Sequence, residues 1–251
     1  MAITRLFVRG DLRPNQVLQL DVDQTRYVGR VLRLRAGDAI AVFNGEAGEF
    51  AATISSLDRT SAEITVGVAL ETSTESPLKV HLVQGVSRGD RMDFIVQKAT
   101  ELGVKRLSPV LTEFGVVKLD QARAAKRREH WQKIAESACE QSGRIRPPLV
   151  DEPLSLKSWL GAKTRDADVD LILRPDATTL LASLQVPKTE ICLLIGPEGG
   201  FSNLEYDDAS VAGFTAVSLG PRVLRTETAA IAAVAVAQSL WGDLGGALSL
   251  K

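Results

Sequence analysis

The sequence predicts an α/β protein, with a parallel sheet covered by helices on both faces and a small β-barrel-like domain in front of it. Three observations carry this expectation. Residues 191–195 (ICLLI) are wholly apolar yet only five long, which suits a parallel strand buried on both faces. From residue 78 onward, strand-like and helix-like patterns alternate. Before residue 71, short β-rich runs follow one another between turn signals.

In the N-terminal part the strand candidates are residues 5–8, 16–20, 39–43, 49–54 and 62–69, with Asn44-Gly45 and Asp58-Arg59-Thr60 as turns. One helix interrupts them: Asp23 is its expected cap, Tyr27, Val31 and Leu34 its apolar face, and Gly37 lies past its end. The stretch ETSTESP (71–77) is polar and ends in proline, which places a domain boundary there. The division is thus 1–72 and 78–251.

In the C-terminal part, residues 79–86 read as a strand and Gly89-Asp90 opens a helix with Met92, Ile95, Val96, Ala99 and Leu102 at helical spacing. Residues 104–111 form the next strand, 123–141 a long helix with Trp131, Ile134, Ala135 and Ala138 inward, and 169–173 (VDLIL) a further strand. Short helices are expected at 154–160 and 178–184.

Residues 191–237 carry the candidate site. The strand 191–195 empties into Gly196-Pro197-Glu198-Gly199-Gly200, after which Ser202 and Glu205 form a capping box and Gly213 stops the helix. A second strand, 216–219, opens into Gly220-Pro221-Arg222-Val223-Leu224-Arg225. Thr226 or Thr228 then caps a helix whose run 229–237 is apolar all round and so is expected to be buried. Backbone-rich loops at the carboxyl ends of buried strands describe a ligand crevice. Neither loop is a phosphate cradle, since GPEGGF lacks the P-loop ending and no G-x-G-x-x-G occurs. Glu198 adds negative charge where a phosphate would sit, which favours a neutral or cationic ligand held by main-chain groups.

Net charge is −1 over 251 residues, so bulk charge does not make the chain a polyanion binder. Two regions are locally basic: seven Arg against four Asp up to Asp38, and eight Lys/Arg against four Asp/Glu from Lys118 to Arg146. A phosphate-binding face and a solvated helix face explain them equally well. The apolar runs are too short for a membrane span, and the charged start MAITRLFVRG is unlike a signal peptide, so a cytoplasmic location is expected. Cys139 and Cys192, with His81 and His130 isolated, give no disulfide framework and no metal site.

Six ordered blocks, YVGRVLRL, SRGDRMDFIVQKATELGV, TEFGVVKL, EQSGR, LLIGPEGGFS and LGPRVLRTETA, span nearly the whole chain. By these the sequence resembles the RsmE family of small-subunit ribosomal RNA methyltransferases, within the knotted SPOUT superfamily. The resemblance implies a PUA-like N-terminal domain that binds RNA and a C-terminal methyltransferase domain with a deep trefoil knot. It also implies a homodimer, S-adenosylmethionine as cofactor, and methylation of N3 of a uridine in 16S rRNA, free or within the 30S subunit. Two positions depart from the family pattern: Tyr27 stands for a histidine and Phe114 for an arginine.

The implied cofactor residues are Leu173, Ile195, Gly196, Pro197, Glu198, Gly199 and Gly200 on one side, and Leu219, Gly220, Val223, Leu224, Thr226 and Thr228 on the other. The adenine edge is expected to meet main-chain groups of both loops. Arg225 is the candidate for stabilising charge on a uracil oxygen and Glu227 for the general base, unless the two merely pair and fix the loop. Candidate RNA contacts are Arg9, Arg30, Arg33, Arg88, Lys98, Arg144 and Arg222, with a Lys98–Glu101 helix pair as the alternative for Lys98. A non-catalytic RNA-binding protein that retains the pocket is the competing class.

Overall fold

The computed structural model describes residues 3–71, 74–163, 167–184 and 189–245. The chain forms two units, Met1–Glu75 with Cys139–Pro147, and Ser76–Ala138 with Pro148–Lys251. The first therefore takes in a nine-residue segment from the middle of the sequence, which a two-range division at the ETSTESP stretch does not contain.

In the first unit, β1 (Thr4–Phe7), β2 (Val17–Gln19), α1 (Val22–Arg26), β3 (Ala39–Phe43), β4 (Glu49–Leu57) and β5 (Ala62–Leu70) follow in order. The strands make one sheet in the order β1-β3-β4-β5-β2. Only the β1/β3 pair is parallel. Alternation along β4 and β5 turns Ile54, Ile64 and Val66 into the core with Leu6, Ile40 and Val42. The helix starts earlier than expected. Asp21, not Asp23, is its cap, because Gln24 completes a capping box with it: Asp21 Oδ1 accepts from Gln24 N at 2.8 Å and Gln24 Oε1 accepts from Asp21 N at 3.2 Å. It also ends early, widening into a π turn at Tyr27–Val31 and breaking at Arg33, whose φ is 55°.

The segment Cys139–Pro147 is held in this unit by Arg5, whose guanidinium donates to Cys139 O at 2.6 Å and Arg144 O at 2.9 Å. Phe7 N donates to Glu140 Oε1 at 2.9 Å. Phe43, Cys139 and Ile145 close a small apolar cluster beneath these bonds.

The second unit runs β6 (Lys79–Gly85), α2 (Asp90–Glu101), β7 (Val104–Leu111), α3 (Gln121–Ser142), β8 (Leu149–Val150), β9 (Leu154–Ser155), α4 (Leu156–Ala162), β10 (Val169–Leu173), β11 (Glu190–Ile195), α5 (Asn203–Val211), β12 (Thr215–Val217) and α6 (Thr226–Trp241). The last residues of α3 belong to the first unit. All pairings are parallel, in the order β12-β10-β11-β6-β7-β8 with β9 also on β7. The apolar run of β11 is divided between two cores. Ile191, Leu193 and Ile195 pack with α2 and α6, whereas Cys192 and Leu194 face Trp159, Phe201 and Phe214. Where a helix was expected at 178–184 there is a single 3-10 turn, Leu181–Ser183, and α4 begins only at Leu156, capped by Ser155.

A polar chain, buried at Ser108 and open to solvent at Arg106, ties β6 to β7 and to the start of the segment after β8. Arg106 holds Asp151 with bonds of 2.8 and 3.1 Å, Ser108 donates to Asp151, and His81 Nε2 lies 2.7 Å from Ser108 Oγ. With the Ser108 proton committed to the carboxylate, His81 Nε2 is the donor of its bond and the ring is neutral. Burial pushes the His81 pKa down to about 4, helped by Arg106 and Lys163 and opposed by Asp151. The unfolded chain therefore binds a proton that the folded chain refuses between the ordinary histidine value and about 4. Stability contributed by neutral His81 is complete above the ordinary value and declines as pH falls. Denaturant unfolding of wild type at pH 7 and pH 5 is expected to show a loss about 2 kcal/mol larger than that of His81→Gln over the same interval.

Candidate active site

The carboxyl ends of β6, β7, β10, β11 and β12 lie along one edge of the parallel sheet, and the loops leaving them build the site. After β11 the chain turns through Gly196 to Gly200. Ser202 then caps α5, accepting from Glu205 N at 3.3 Å while Glu205 Oε2 accepts from Ser202 N at 2.9 Å. The turn runs against the end of β6, where a Cβ on Gly85 would stand 2.3 Å from Pro197 Cδ and 2.5 Å from Pro197 N. Only glycine fits at position 85.

The loop after β12 ends in α6, whose cap differs from expectation. Arg225 occupies the N-cap without a side-chain bond, and Thr226 is the first helical residue. The Thr226 hydroxyl is turned away from the helix: it donates to Gly196 O at 2.7 Å and accepts from Gln84 Nε2 at 3.0 Å. Gln84 is fully buried and also donates to Gly85 O at 3.0 Å. One hydroxyl thus clips the head of α6 to the β11 loop and to β6. Thr228 is exposed and is not brought to the site.

Between the loops lies a cavity of about 540 Å³, within the range of small-molecule sites. Leu173, Ile195, Gly196, Pro197, Glu198 and Gly200 line one side; Leu219, Gly220, Arg222, Val223, Leu224 and Thr226 line the other. Gly199 is absent from the wall. Its missing side chain serves another contact, since a Cβ there would stand 2.7 Å from Phe114 O and 2.9 Å from Phe114 Cβ. Tyr206, Phe201, Arg174 and Arg91 also line the cavity and had no sequence signal as site residues. Arg174 stacks on the Tyr206 ring at 4.8 Å, a pairing across β10 and α5 that only the folded chain brings about.

The two loops differ in what they leave available. Gly196 O accepts from Thr226, and Gly200 N donates to Pro197 O at 2.9 Å, so the β11 loop satisfies much of itself. Among the described residues, the main chain of Leu219, Gly220, Arg222 and Val223 makes no hydrogen bond. The β12 loop thus keeps a run of unspent donors and acceptors.

Glu198 does not offer its charge to the cavity. Its Oε1 accepts from Arg91 Nη1 at 2.7 Å and from Arg88 N at 3.1 Å. Burial raises its pKa, but these bonds prevail and hold it below the usual carboxylate value. Glu227 behaves in the opposite way. It lines the cavity, and its Oε2 is buried with no hydrogen-bond partner among the described residues. Arg225 lines the same wall, exposed, and makes no ion pair with Glu227 or any other described residue. The pairing of Arg225 with Glu227 that the sequence left open is not formed.

The basic candidates fall into three groups. Arg9, Arg30 and Arg33 are exposed in the first unit, and Arg88 and Arg222 are exposed in the second. Lys98 is engaged with Glu101 at 2.8 Å, the helix-pair alternative. Arg144 is a correction: it is 3% exposed, and its guanidinium reaches Glu75 at 2.7 Å, so it braces the Cys139–Pro147 segment and has no surface to give a phosphate. Among the described residues no group of side chains is arranged to hold a metal ion, and no helix is long and apolar enough to cross a membrane.

Residues 20–67 match the model of the RNA methyltransferase PUA domain, and residues 74–238 match that of the RNA methyltransferase domain. A ribosomal RNA small subunit methyltransferase E of Buchnera aphidicola (from Schizaphis graminum) is 35% identical over 242 residues, 96% of this chain and 98% of that one. The chain belongs to the ribosomal RNA small subunit methyltransferase E family. Among solved structures, a methyltransferase of Legionella pneumophila in complex with S-adenosylmethionine superposes with a TM-score of 0.93 at 39% identity, over 97% of this chain and 100% of that one. The small subunit methyltransferase E of Neisseria gonorrhoeae, bound to S-adenosylmethionine, gives 0.89 at 38% identity, over 96% and 99%.

Thr226→Val keeps the shape of the side chain but removes the short bond to Gly196 O, leaving that oxygen only the 3.4 Å contact with Gln84 Nε2, which itself loses an acceptor. Thermal and denaturant unfolding are expected to show a loss of about 1–3 kcal/mol, with Thr226→Ser losing less than half of that.

Proposed function

We propose that this chain transfers the methyl group of S-adenosylmethionine to N3 of a uridine in 16S (small-subunit) ribosomal RNA. The single observation that carries the chemistry is the pair on one cavity wall: an unengaged arginine, Arg225, and a glutamate, Glu227, with a buried oxygen that has no partner. A buried acceptor without a donor is costly in a folded protein, which supports a role for Glu227 beyond packing.

The residues present fit the cofactor. The free main-chain groups of the β12 loop supply donors and acceptors for an adenine edge, and the glycines of the β11 loop keep its wall thin: a Cβ on Gly196 would meet Gly200 Cα at 3.1 Å and the Phe201 ring at 3.3 Å. With Glu198 neutralised by Arg91, the wall near the cavity carries no free carboxylate other than Glu227. Bound there, S-adenosylmethionine supplies an electrophilic methyl group on a sulfonium. Uracil N3 is protonated at neutral pH and must lose that proton to become a nucleophile. Glu227 is positioned to accept it, and Arg225 to hold the negative charge that spreads onto a uracil oxygen.

Family membership supports the other parts of the reading. Residues 1–72 bind RNA through Arg9, Arg30 and Arg33, with Arg88 and Arg222 near the cavity contributing phosphate contacts; residues 78–251 form the catalytic domain, threaded as a trefoil knot. The protein works as a cytoplasmic homodimer. The dimer is supported by α6: Ala230, Ala233, Val234 and Ala237 are buried, whereas Ile231, Ala232 and Ala235 are only half-buried, although the sequence of that helix is apolar all round. Sedimentation at micromolar concentration is expected to give a dimer mass.

The function is tested by transfer of labelled methyl to 30S subunits or 16S rRNA from cells lacking the modification, with the product nucleoside identified as N3-methyluridine. No transfer under conditions where a related enzyme works would exclude it. Arg225→Ala is expected to lower kcat by about 100-fold or more with cofactor affinity retained. Glu227→Gln is expected to lower kcat by about 100-fold, with cofactor affinity retained. A Glu227→Gln enzyme with wild-type kcat assigns proton removal elsewhere.

A further inference from the structure

The β11 loop has a second side. Its inner side lines the cavity, and its outer side carries Phe114, in the loop after β7 and 51% exposed. A single exposed apolar side chain is ordinary on a protein surface. This one differs in how its backbone is held. Glu113 N donates to Glu205 Oε1 at 2.8 Å, Gly115 N donates to Thr112 O at 3.1 Å, and the missing Cβ of Gly199 lets the β11 loop lie directly against Phe114. The ring is exposed on a stem fixed from three directions. Glu198, the residue before Gly199, accepts from the Arg91 guanidinium and from the backbone N–H of Arg88. Arg91 also lines the cavity.

A fixed, exposed aromatic face lying against the loop that walls the cavity is the chemistry that receives an unpaired nucleotide, whose base stacks on the ring. We propose that Phe114 is a stacking platform for a nucleotide adjacent to the target base in the RNA substrate. The target enters the cavity on one side of the Gly196 to Gly200 loop, and its neighbour rests on Phe114 on the other, so the loop acts as a wedge between them. Stacking is indifferent to base identity, so the platform positions the strand and the cavity selects the base. This rests on the function proposed above, with Phe114 as a positioning residue that touches neither the cofactor nor N3.

The test is steady-state methyl transfer to 30S subunits lacking the modification, with filter binding to 16S rRNA alongside. Phe114→Ala is expected to raise KM for the RNA substrate by roughly 10-fold, the range for loss of one base stack, with kcat and S-adenosylmethionine affinity unchanged. Phe114→Trp should match wild type, and Phe114→Leu, apolar but without a π face, should behave as alanine. The platform is overturned if Phe114→Ala keeps the wild-type KM, or if leucine restores binding as well as tryptophan does. A change in sedimentation on alanine substitution overturns it too, because the ring would then be covered by a second copy of the chain. Absence of transfer by wild type would overturn the enzymatic reading instead, and filter binding would still decide the platform: equal RNA affinity of wild type and Phe114→Ala rejects it.

Discussion

The site depends on one hydroxyl. Thr226 begins α6, yet its side chain caps nothing in that helix and instead bonds to Gly196 O and Gln84 Nε2. Three chain segments remote in sequence, the end of β6, the β11 loop and the head of α6, are thereby fixed to one another in the interior. The junction also includes Gln84 Nε2, 3.4 Å from Gly196 O, and the close approach of Pro197 to Gly85. With it, the free main-chain groups after β12 and the wall after β11 stand opposite, and Arg225 and Glu227, on either side of Thr226, are directed into the space between. Position and chemistry are thus coupled at neighbouring residues: the middle one anchors, the outer two remain available.

Charge is distributed around the cavity by the same economy. The carboxylate that sequence alone would place at a cationic ligand, Glu198, is consumed by Arg91 and a backbone N–H. The one left with an unsatisfied buried oxygen is Glu227. An acidic side chain in the first turn of a helix is favoured by the dipole. Glu227 occupies that position in α6.

What was legible in the sequence was what local chemistry decides. The strand 191–195, the Ser202/Glu205 capping box, the strand 104–111 and the glycine-bearing loops all depend on residues close in the chain, and the structure places them there. The illegible parts depend on partners distant in sequence. Arg144 reads as one more cation in a basic stretch, and only its burial against Glu75 makes it a brace. Gly199 is inseparable from its neighbours as a cofactor contact until Phe114 is seen against it. Arg174 and Tyr206 meet across two elements, and Thr226 looks like a helix cap because the competing acceptor, Gly196 O, lies thirty residues upstream.

The Cys139–Pro147 segment also limits how this protein could have been assembled or taken apart. Arg5 and Phe7, near the beginning of the chain, find their acceptors at Cys139, Arg144 and Glu140. No single cut in the gene separates the two units, because a fragment ending at Glu75 would lack the strap that its own first strand binds. The N-terminal unit is accordingly not a cassette to be exchanged between proteins at one junction. Any recombination that moves it must carry two pieces of sequence or rebuild the acceptors it leaves behind.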